Sequence, residues 1–504
     1  MGIPADGQVL NANIRGPLSF TRTDDGRLVA ARGGGGVVSA LSSALGTGDT
    51  LWICAALNDA DRAQVRKTAD GRLGLDGSPG GSEVRMLDIP AATFRRAHNG
   101  VANSTLWFVH HMLYDTPNLP RFGPKFEREW ESYRAYNRAF ADALAEEAAR
   151  PPDGGPAARG AVRAVVHDYH LSLVPRMLAD ARPDVRIAHF SHTPWAPPDY
   201  FRLLPRPVGR EVLEGVLGAD HAGFHCQRWA DAFLECCRVI LGADVDRVGQ
   251  RVSHRGHVTS VGVHPLGVDA DGFRRRGAEP DVAARMAALA GETRGRKLIV
   301  RIDRTELSKN IIRGLEAYRE LLVTHPEWRG KVTHLVFAYP SRQDIPVYRT
   351  YMSAVTRMAR KISREFGTED WQPLTLEVNN DYARALALFR MADVVLVNPV
   401  RDGMNLVAKE APILSDSGCA LVLSQEAGAA AELGADALLV NPYDVSETSR
   451  ALHEALIMTD AERKRRTASL ARAAGTFPPA RWFADQLAAL GPDDEDRYSG
   501  ERIA

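Results

Sequence analysis

Nowhere does an apolar run approach about 18 residues, the length that crosses a bilayer, and residues 1–8 lack a charged-then-apolar pattern. A membrane-spanning or secreted protein is therefore not expected. Neither sign of charge is in excess: 63 Lys plus Arg balance 63 Asp plus Glu, for a formal net charge of zero. That balance argues against a nucleic-acid partner, although local basic clusters remain able to hold phosphates. Cysteine is scarce, and Cys54, Cys226, Cys236, Cys237 and Cys419 lack paired metal-ligand spacing. Adjacent Cys236-Cys237 suits neither a zinc knuckle nor an ordinary disulfide, so buried free thiols in a reducing cytoplasm are expected. No Asp-x-Asp stands in a metal-binding context, and no repeat or low-complexity tract stands out beyond residues 33–36.

What is present is ordinary globular material, 45% apolar and 25% charged, in a chain of 504 residues. That length suggests roughly two to three domains. Abundant Ala, Arg, Gly and Asp hint at a GC-rich bacterial genome. Short β-rich apolar runs alternate with longer helical patterns, the signature of an α/β protein with parallel sheets. Strands are expected over 50–56, 161–167, 185–191, 219–224, 298–301, 333–338, 374–378, 394–398 and 420–423. Helices are expected over 126–149, 310–324, 382–391 and 445–458, and loops over 72–83 and 151–160. A strand-like run ends in a Pro/Gly-containing turn at 262–269, which places a domain break there. The expected architecture is two doubly wound, Rossmann-like domains, 1–265 and 266–471, facing each other across a cleft. The charged stretch 491–504 reads as a frayed tail, and no phosphatase module is expected after Ala504.

The most informative segment is Arg401-Asp402-Gly403-Met404-Asn405-Leu406-Val407-Ala408-Lys409-Glu410, which follows the apolar run Val394-Val395-Leu396-Val397. In a doubly wound sheet, ligands sit beyond the carboxyl ends of the strands. A glycine there lets backbone N–H groups approach a ligand, and Asp402 and Glu410 are acceptors suited to sugar hydroxyls. An ordinary strand–loop–helix unit with a solvated acid is the alternative. Other motifs accompany it in order: Val166-His167-Asp168-Tyr169-His170-Leu171, His189-Phe190-Ser191-His192-Thr193-Pro194-Trp195, Arg304 with Ser308-Lys309, Pro340-Ser341-Arg342, and Leu423-Ser424-Gln425. Together these resemble the trehalose-6-phosphate synthases, retaining glycosyltransferases of family 20 with the two-domain GT-B fold. The resemblance runs from about Asn13 to Tyr443.

The resemblance implies transfer of glucose from a nucleoside-diphosphate glucose to glucose 6-phosphate. Catalytic roles fall on Asp168, which contacts the acceptor near its reacting hydroxyl, on His192, which contacts the donor glucose, and on Arg304 and Lys309 at the diphosphate. Arg15 and Arg342 match the clamps of the acceptor phosphate, which suits the arginine fork. Trp107 matches an aromatic of the acceptor pocket, and Gly35-Gly36 resemble a glycine pair whose backbone approaches the donor. Asp402, Gly403, Met404 and Asn405 form the donor-sugar loop, Leu406 and Val407 offer backbone to the diphosphate, and Glu410 accepts from ribose hydroxyls. The last helix, 472–490, is expected to pack back on the first domain. Three departures mark the acceptor side: His98 replaces a tyrosine, Ala55 replaces a second tryptophan near Trp52, and Ile14 separates Asn13 from Arg15.

No carboxylate pair for double displacement is implied; the leaving phosphate takes the acceptor proton, and ligand binding is expected to draw the domains together. No metal or other cofactor is expected, and the partners are small molecules, with a homo-oligomer left open and UDP-, GDP- and ADP-glucose not distinguished. Two rivals stand: a pseudo-glycosyltransferase that joins cyclitols into a validoxylamine-type aminocyclitol phosphate, and a regulatory, non-catalytic sugar-phosphate binder. The intact Asp402-Gly403-Met404-Asn405 and Lys409-Glu410 pattern favours glucose transfer over the first, and the presence of Arg304, Lys309 and Asp168 disfavours the second.

Overall fold

In the computed structural model, which describes residues 8–32, 41, 50–68, 70–74, 83–150, 162–379 and 381–491, the chain divides into two units. One comprises residues 1–265 and 479–504, the other residues 266–478.

In the first unit a parallel sheet runs in the order Glu83–Leu87, Thr50–Ala55, Val9–Ala12, Arg163–His167, Arg186–Ser191, His221–Phe224, His257–Val263. Antiparallel strands finish both edges: Arg72–Gly74 on one side, and Asp244–Asp246 with Arg251–His254 on the other. Thr50–Ala55 and Arg163–His167 are buried at every position, as expected of strands covered on both faces. The helix Pro124–Ala149 begins with proline at a first-turn position, where a missing N–H costs nothing. Its buried Phe126, Trp130, Tyr133, Asn137, Phe140 and Leu144 recur at three- and four-residue steps, which lays one stripe on the core.

The second unit holds six parallel strands in the order Leu374–Glu377, Val332–Tyr339, Lys297–Arg304, Val394–Val397, Ala420–Ser424, Leu438–Val440. Period-two alternation along Lys297–Arg304 sends Leu298, Val300 and Ile302 into one core and Ile299 into the other. Helices Tyr382–Met391 and Val407–Leu414 cover the first face; Ile311–Thr324, Pro346–Phe366 and Val445–Ile457 cover the second.

Both parallel sheets reverse their strand order beside the first strand of the unit, and a doubly wound sheet binds its ligands beyond the carboxyl ends at that reversal. In the first unit the reversal lies between Val9–Ala12 and Arg163–His167, so the chain beyond those strands, Asn13 to Arg15 and Asp168, stands at it. In the second it lies between Lys297–Arg304 and Val394–Val397, followed by Thr305 to Lys309 and by Asn398 to Asp402.

Two sequence expectations need correction. The loop over 72–83 opens instead with the strand Arg72–Gly74, because the hydrogen-bonding edge of Glu83–Leu87 is available to it. The segment 472–490 is not one helix: Asp460–Gly475 ends before Pro478, and Pro479–Ala488 starts anew on a proline. Gly35, Gly36 and the loop 151–160 lie outside the described residues. Among the described residues no helix is long and apolar enough to cross a membrane, and all five cysteines are buried and outside any disulfide.

Candidate active site

The second unit places its candidate residues on two loops tied together underneath. Asn310, in the left-handed region at φ 58°, ends the short turn Leu307–Lys309. Its side chain donates to the carbonyls of Asn398 at 2.9 Å and Pro442 at 2.7 Å. Arg301, only 1% exposed, donates to Asn398 Oδ1 at 2.5 Å and to the Lys309 carbonyl, and pairs with Asp303 at 2.9 Å. This buried brace fixes where Lys309 stands. Its Nζ meets Asp402 Oδ2 at 2.5 Å, and Asn405 Nδ2 donates to the same oxygen at 3.1 Å. Burial opposes the ammonium charge, but Asp402 and Asp303 outweigh it and lift the Lys309 pKa above the usual lysine value.

Beside this pair, Glu306 gathers the other two cations. Its Oε1 lies 2.9 Å from Arg304 Nη1 and 3.9 Å from Arg342 Nε, and accepts from Ser341 Oγ at 2.8 Å. Arg342, at φ 51°, also donates to the Tyr348 hydroxyl at 2.8 Å. Glu306 was not among the residues marked from sequence, although an acid two residues from one cation and three from another is a readable signal.

The loop from Arg401 to Leu406 is held by backbone. The Asp402 amide donates to Glu426 O at 3.2 Å, Gly428 donates to Asp402 O at 3.0 Å, and Ala429 donates to Met404 O at 2.8 Å. Gly428 has no alternative: a Cβ there would stand 1.9 Å from Gly403 O. Asn405, at φ 82°, accepts from Ala408 N at 3.2 Å and so caps Val407–Leu414, leaving Leu406 and Val407 at the helix start. Lys409 is structural: its buried ammonium donates to Leu266 O at 2.8 Å and Glu432 Oε1 at 2.6 Å. Glu410 stands apart from the ionic network, and burial raises its carboxyl to about 7.

In the first unit Asp168 follows its strand at φ 73°, a conformation that is strained for a residue with a Cβ. Its Oδ1 accepts from His192 N at 3.2 Å, and Oδ2 is 3.8 Å from His170 Nδ1. His192 Nε2 meets His167 Nδ1 at 3.2 Å, and His167 Nε2 meets Asn11 Oδ1 at 2.8 Å. With the Asn11 oxygen facing it, His167 carries its proton on Nε2 and accepts at Nδ1. His192 must then donate through Nε2, which leaves Nδ1, buried and without a hydrogen bond among the described residues, as an acceptor. Burial first, then His225 and His189, hold His192 well below the histidine range, so it is neutral. Trp482, from the helix Pro479–Ala488, packs against it at 5.6 Å between ring centroids.

His98 lies in the π-helical segment Arg96–Leu106, stacked between Phe94 at 5.1 Å and His170 at 5.5 Å. π-helical geometry is uncommon and recurs at functional sites. Trp107 follows, buried and stacked on His111 at 3.8 Å. The Arg15 carbonyl accepts from Trp52 Nε1 at 3.1 Å, while its side chain is exposed. Ile14 and Ala55 are both buried, joined by an Ala55 N to Ile14 O bond of 3.2 Å. The two departures at these positions thus belong to the core.

One grouping among the described residues has metal-ligand chemistry, His325, Glu327 and His453. The two imidazoles stack at 3.6 Å and 8°, and Trp328 donates to His453 Nδ1 at 3.1 Å, so their lone pairs do not converge on one point.

A sequence profile described as "Glycosyltransferase family 20" matches residues 8–491. The chain is 35% identical over 396 residues to a bifunctional trehalose-6-phosphate synthase/phosphatase of Thermoproteus tenax, covering 78% of this chain but only 51% of that protein. It thus spans about half the length of that relative. It is 32% identical to the UDP-forming alpha,alpha-trehalose-phosphate synthase 2 of Aspergillus niger, over 96% of this chain and 97% of that one. A UDP-forming alpha,alpha-trehalose-phosphate synthase of Burkholderia xenovorans, solved in complex with glucose-6-phosphate, superposes with a TM-score of 0.81 at 25% identity, covering 96% of this chain and 100% of that one. With two doubly wound sheets and a profile match across nearly its whole length, the chain belongs to glycosyltransferase family 20 and has the GT-B fold.

Proposed function

We propose that this chain is an α,α-trehalose-6-phosphate synthase that moves glucose, with retention, from UDP-glucose to glucose 6-phosphate. One observation carries the reading: Arg304, Lys309 and Arg342 are gathered around the buried Glu306 and the half-buried Asp402 at the strand-order reversal of the second sheet. Fixed cations at that place suit a diphosphate leaving group. The preference for the uridine donor is supported by the UDP-forming relatives. Five buried thiols outside any disulfide suit a cytoplasmic setting.

In this reading the donor C1–O bond to the diphosphate breaks as the anomeric oxygen of glucose 6-phosphate bonds to C1 on the same face. The acceptor proton passes to the departing diphosphate oxygen. Arg304 and Lys309 neutralise that leaving group, and the helix start at Leu406 and Val407 adds backbone dipole. To release Lys309 to the ligand, Asp402 exchanges its ammonium partner for sugar hydroxyls. Glu410 accepts from the ribose. Arg342 binds the acceptor phosphate, and Arg15, His98 and Trp107 serve the acceptor. Asp168 orients its reacting hydroxyl, and neutral His192 accepts from a donor hydroxyl through Nδ1.

A panel of UDP-, GDP- and ADP-glucose with glucose 6-phosphate tests this. Formation of trehalose 6-phosphate, fastest with UDP-glucose, is expected; no product from any donor would refute it, and a faster purine donor would correct the base.

A further inference from the structure

Glu306 belongs to neither substrate's set of contacts in the reading above, yet it touches residues of both. Its side chain is fully buried. Arg304 and Arg342 lie at and just beyond the ends of adjacent strands, Lys297–Arg304 and Val332–Tyr339, which pair in register from Lys297↔Val332 to Arg304↔Tyr339. Two guanidiniums brought that close repel, and one carboxylate oxygen between them holds both, at 2.9 Å and 3.9 Å. Ser341 anchors that oxygen, and Tyr348 steadies Arg342 from the other side. Burial pushes the Glu306 carboxyl up, but Arg304, Arg342 and Lys309 outweigh it and hold it down at about 2, so it is ionised around neutral pH.

One negative charge is shared between two positive ones. When an anion takes Arg304, the carboxylate is left to Arg342, whose looser contact it can tighten. The second anion then meets an arginine already ordered, and pays less to fix it.

We propose that Glu306 is a positioning residue that joins Arg304 and Arg342 into one unit and thereby couples binding of the nucleoside diphosphate to binding of the phosphosugar. The proposal rests on the assignment of these two arginines to different anions.

The test is calorimetric titration of the full-length protein with glucose 6-phosphate, with and without saturating UDP. In the wild type UDP should tighten glucose 6-phosphate by roughly fivefold or more, within the usual range of coupling between sites. In Glu306→Gln, which keeps the shape and the acceptor for Ser341, that factor should fall toward one. A merely structural role would weaken both ligands alike and leave the factor unchanged. Ser341→Ala, which frees the oxygen without altering charge, should lower the factor part of the way, and decides the matter if Glu306→Gln does not fold. Coupling absent from the wild type, or unchanged in the folded variants, overturns the proposal. Failure of the wild type to bind UDP or glucose 6-phosphate at all would instead sink the functional reading beneath it.

Discussion

Glu410 shows how burial gives a single side chain a pH dependence. Its carboxyl titrates at about 7, so it accepts hydrogen bonds as an anion above that value and becomes a donor below it. The KM for UDP-glucose should therefore rise as pH falls from 8 to 6, and the rise should vanish in Glu410→Gln. A wild-type KM that is flat across this range would contradict the role. The sign for stability is opposite: the folded form holds a proton between about 4.5 and 7 that the unfolded form has lost, so folding weakens as pH rises through that window. Glu410→Gln should accordingly melt higher than wild type at pH 8, at the expense of donor use. With Asp402 holding the donor sugar as proposed, Asp402→Ala removes that acceptor and leaves the half-buried Lys309 without its ion-pair partner. Donor kcat/KM should drop by an amount equivalent to roughly 1–3 kcal/mol, with a lower melting temperature alongside. At this scale the sequence was legible wherever chemistry comes in runs, as from Arg401 to Glu410. Glu306 was legible only in part: its spacing from Arg304 and Lys309 is a signal, but its contact with Ser341, 35 residues away, forms only in the fold.

Among elements, the loop at Asp402 depends on a crossing of two backbones. Gly428→Ala would drive a methyl to within 1.9 Å of Gly403 O, and backbone cannot yield as a side chain tip does. The variant should lose about 1–3 kcal/mol of stability, the usual cost of overpacking, measured by urea unfolding, and should lose donor affinity while keeping its affinity for glucose 6-phosphate. Equal loss of both substrates would mean that the damage spreads beyond the loop. The long apolar strands of the second sheet and the helix Tyr382–Met391 were legible because their hydrophobic period is sustained. Val9–Ala12 was not, although it sits at the reversal of its sheet: it has four residues, and Asn11 interrupts it. That asparagine is buried against His167, so the polar residue that obscures the strand is the one that orients that imidazole. The edge strands Arg72–Gly74 and Leu438–Val440 are three residues each, too short for any period to show.

For the molecule as a whole, buried neutral histidines predict acid sensitivity of the first unit. Burial holds His189 at about 4, His264 at about 4 and His221 at about 3. Below about 6.5 the unfolded chain takes up protons that the folded form refuses, so each such group costs at most about 1.4 kcal/mol per pH unit until its folded pKa is reached. His221 and His264 share a 2.8 Å contact, so they act as a pair and the total is less than the sum. Urea unfolding followed by tryptophan fluorescence should show a markedly earlier first transition at pH 5.5 than at pH 7.5. An unchanged midpoint would mean that these imidazoles are protonated in the fold.

The proposed transfer runs with retention at the donor C1, carried by protein cations and the leaving diphosphate. The direct measurement is carbon NMR of the product formed from UDP-glucose labelled at C1 and glucose 6-phosphate, in excess chelator. Trehalose 6-phosphate with the labelled carbon α-configured is expected, formed at a rate insensitive to the chelator. A β-configured label, or turnover abolished by chelator and restored by magnesium, would contradict it.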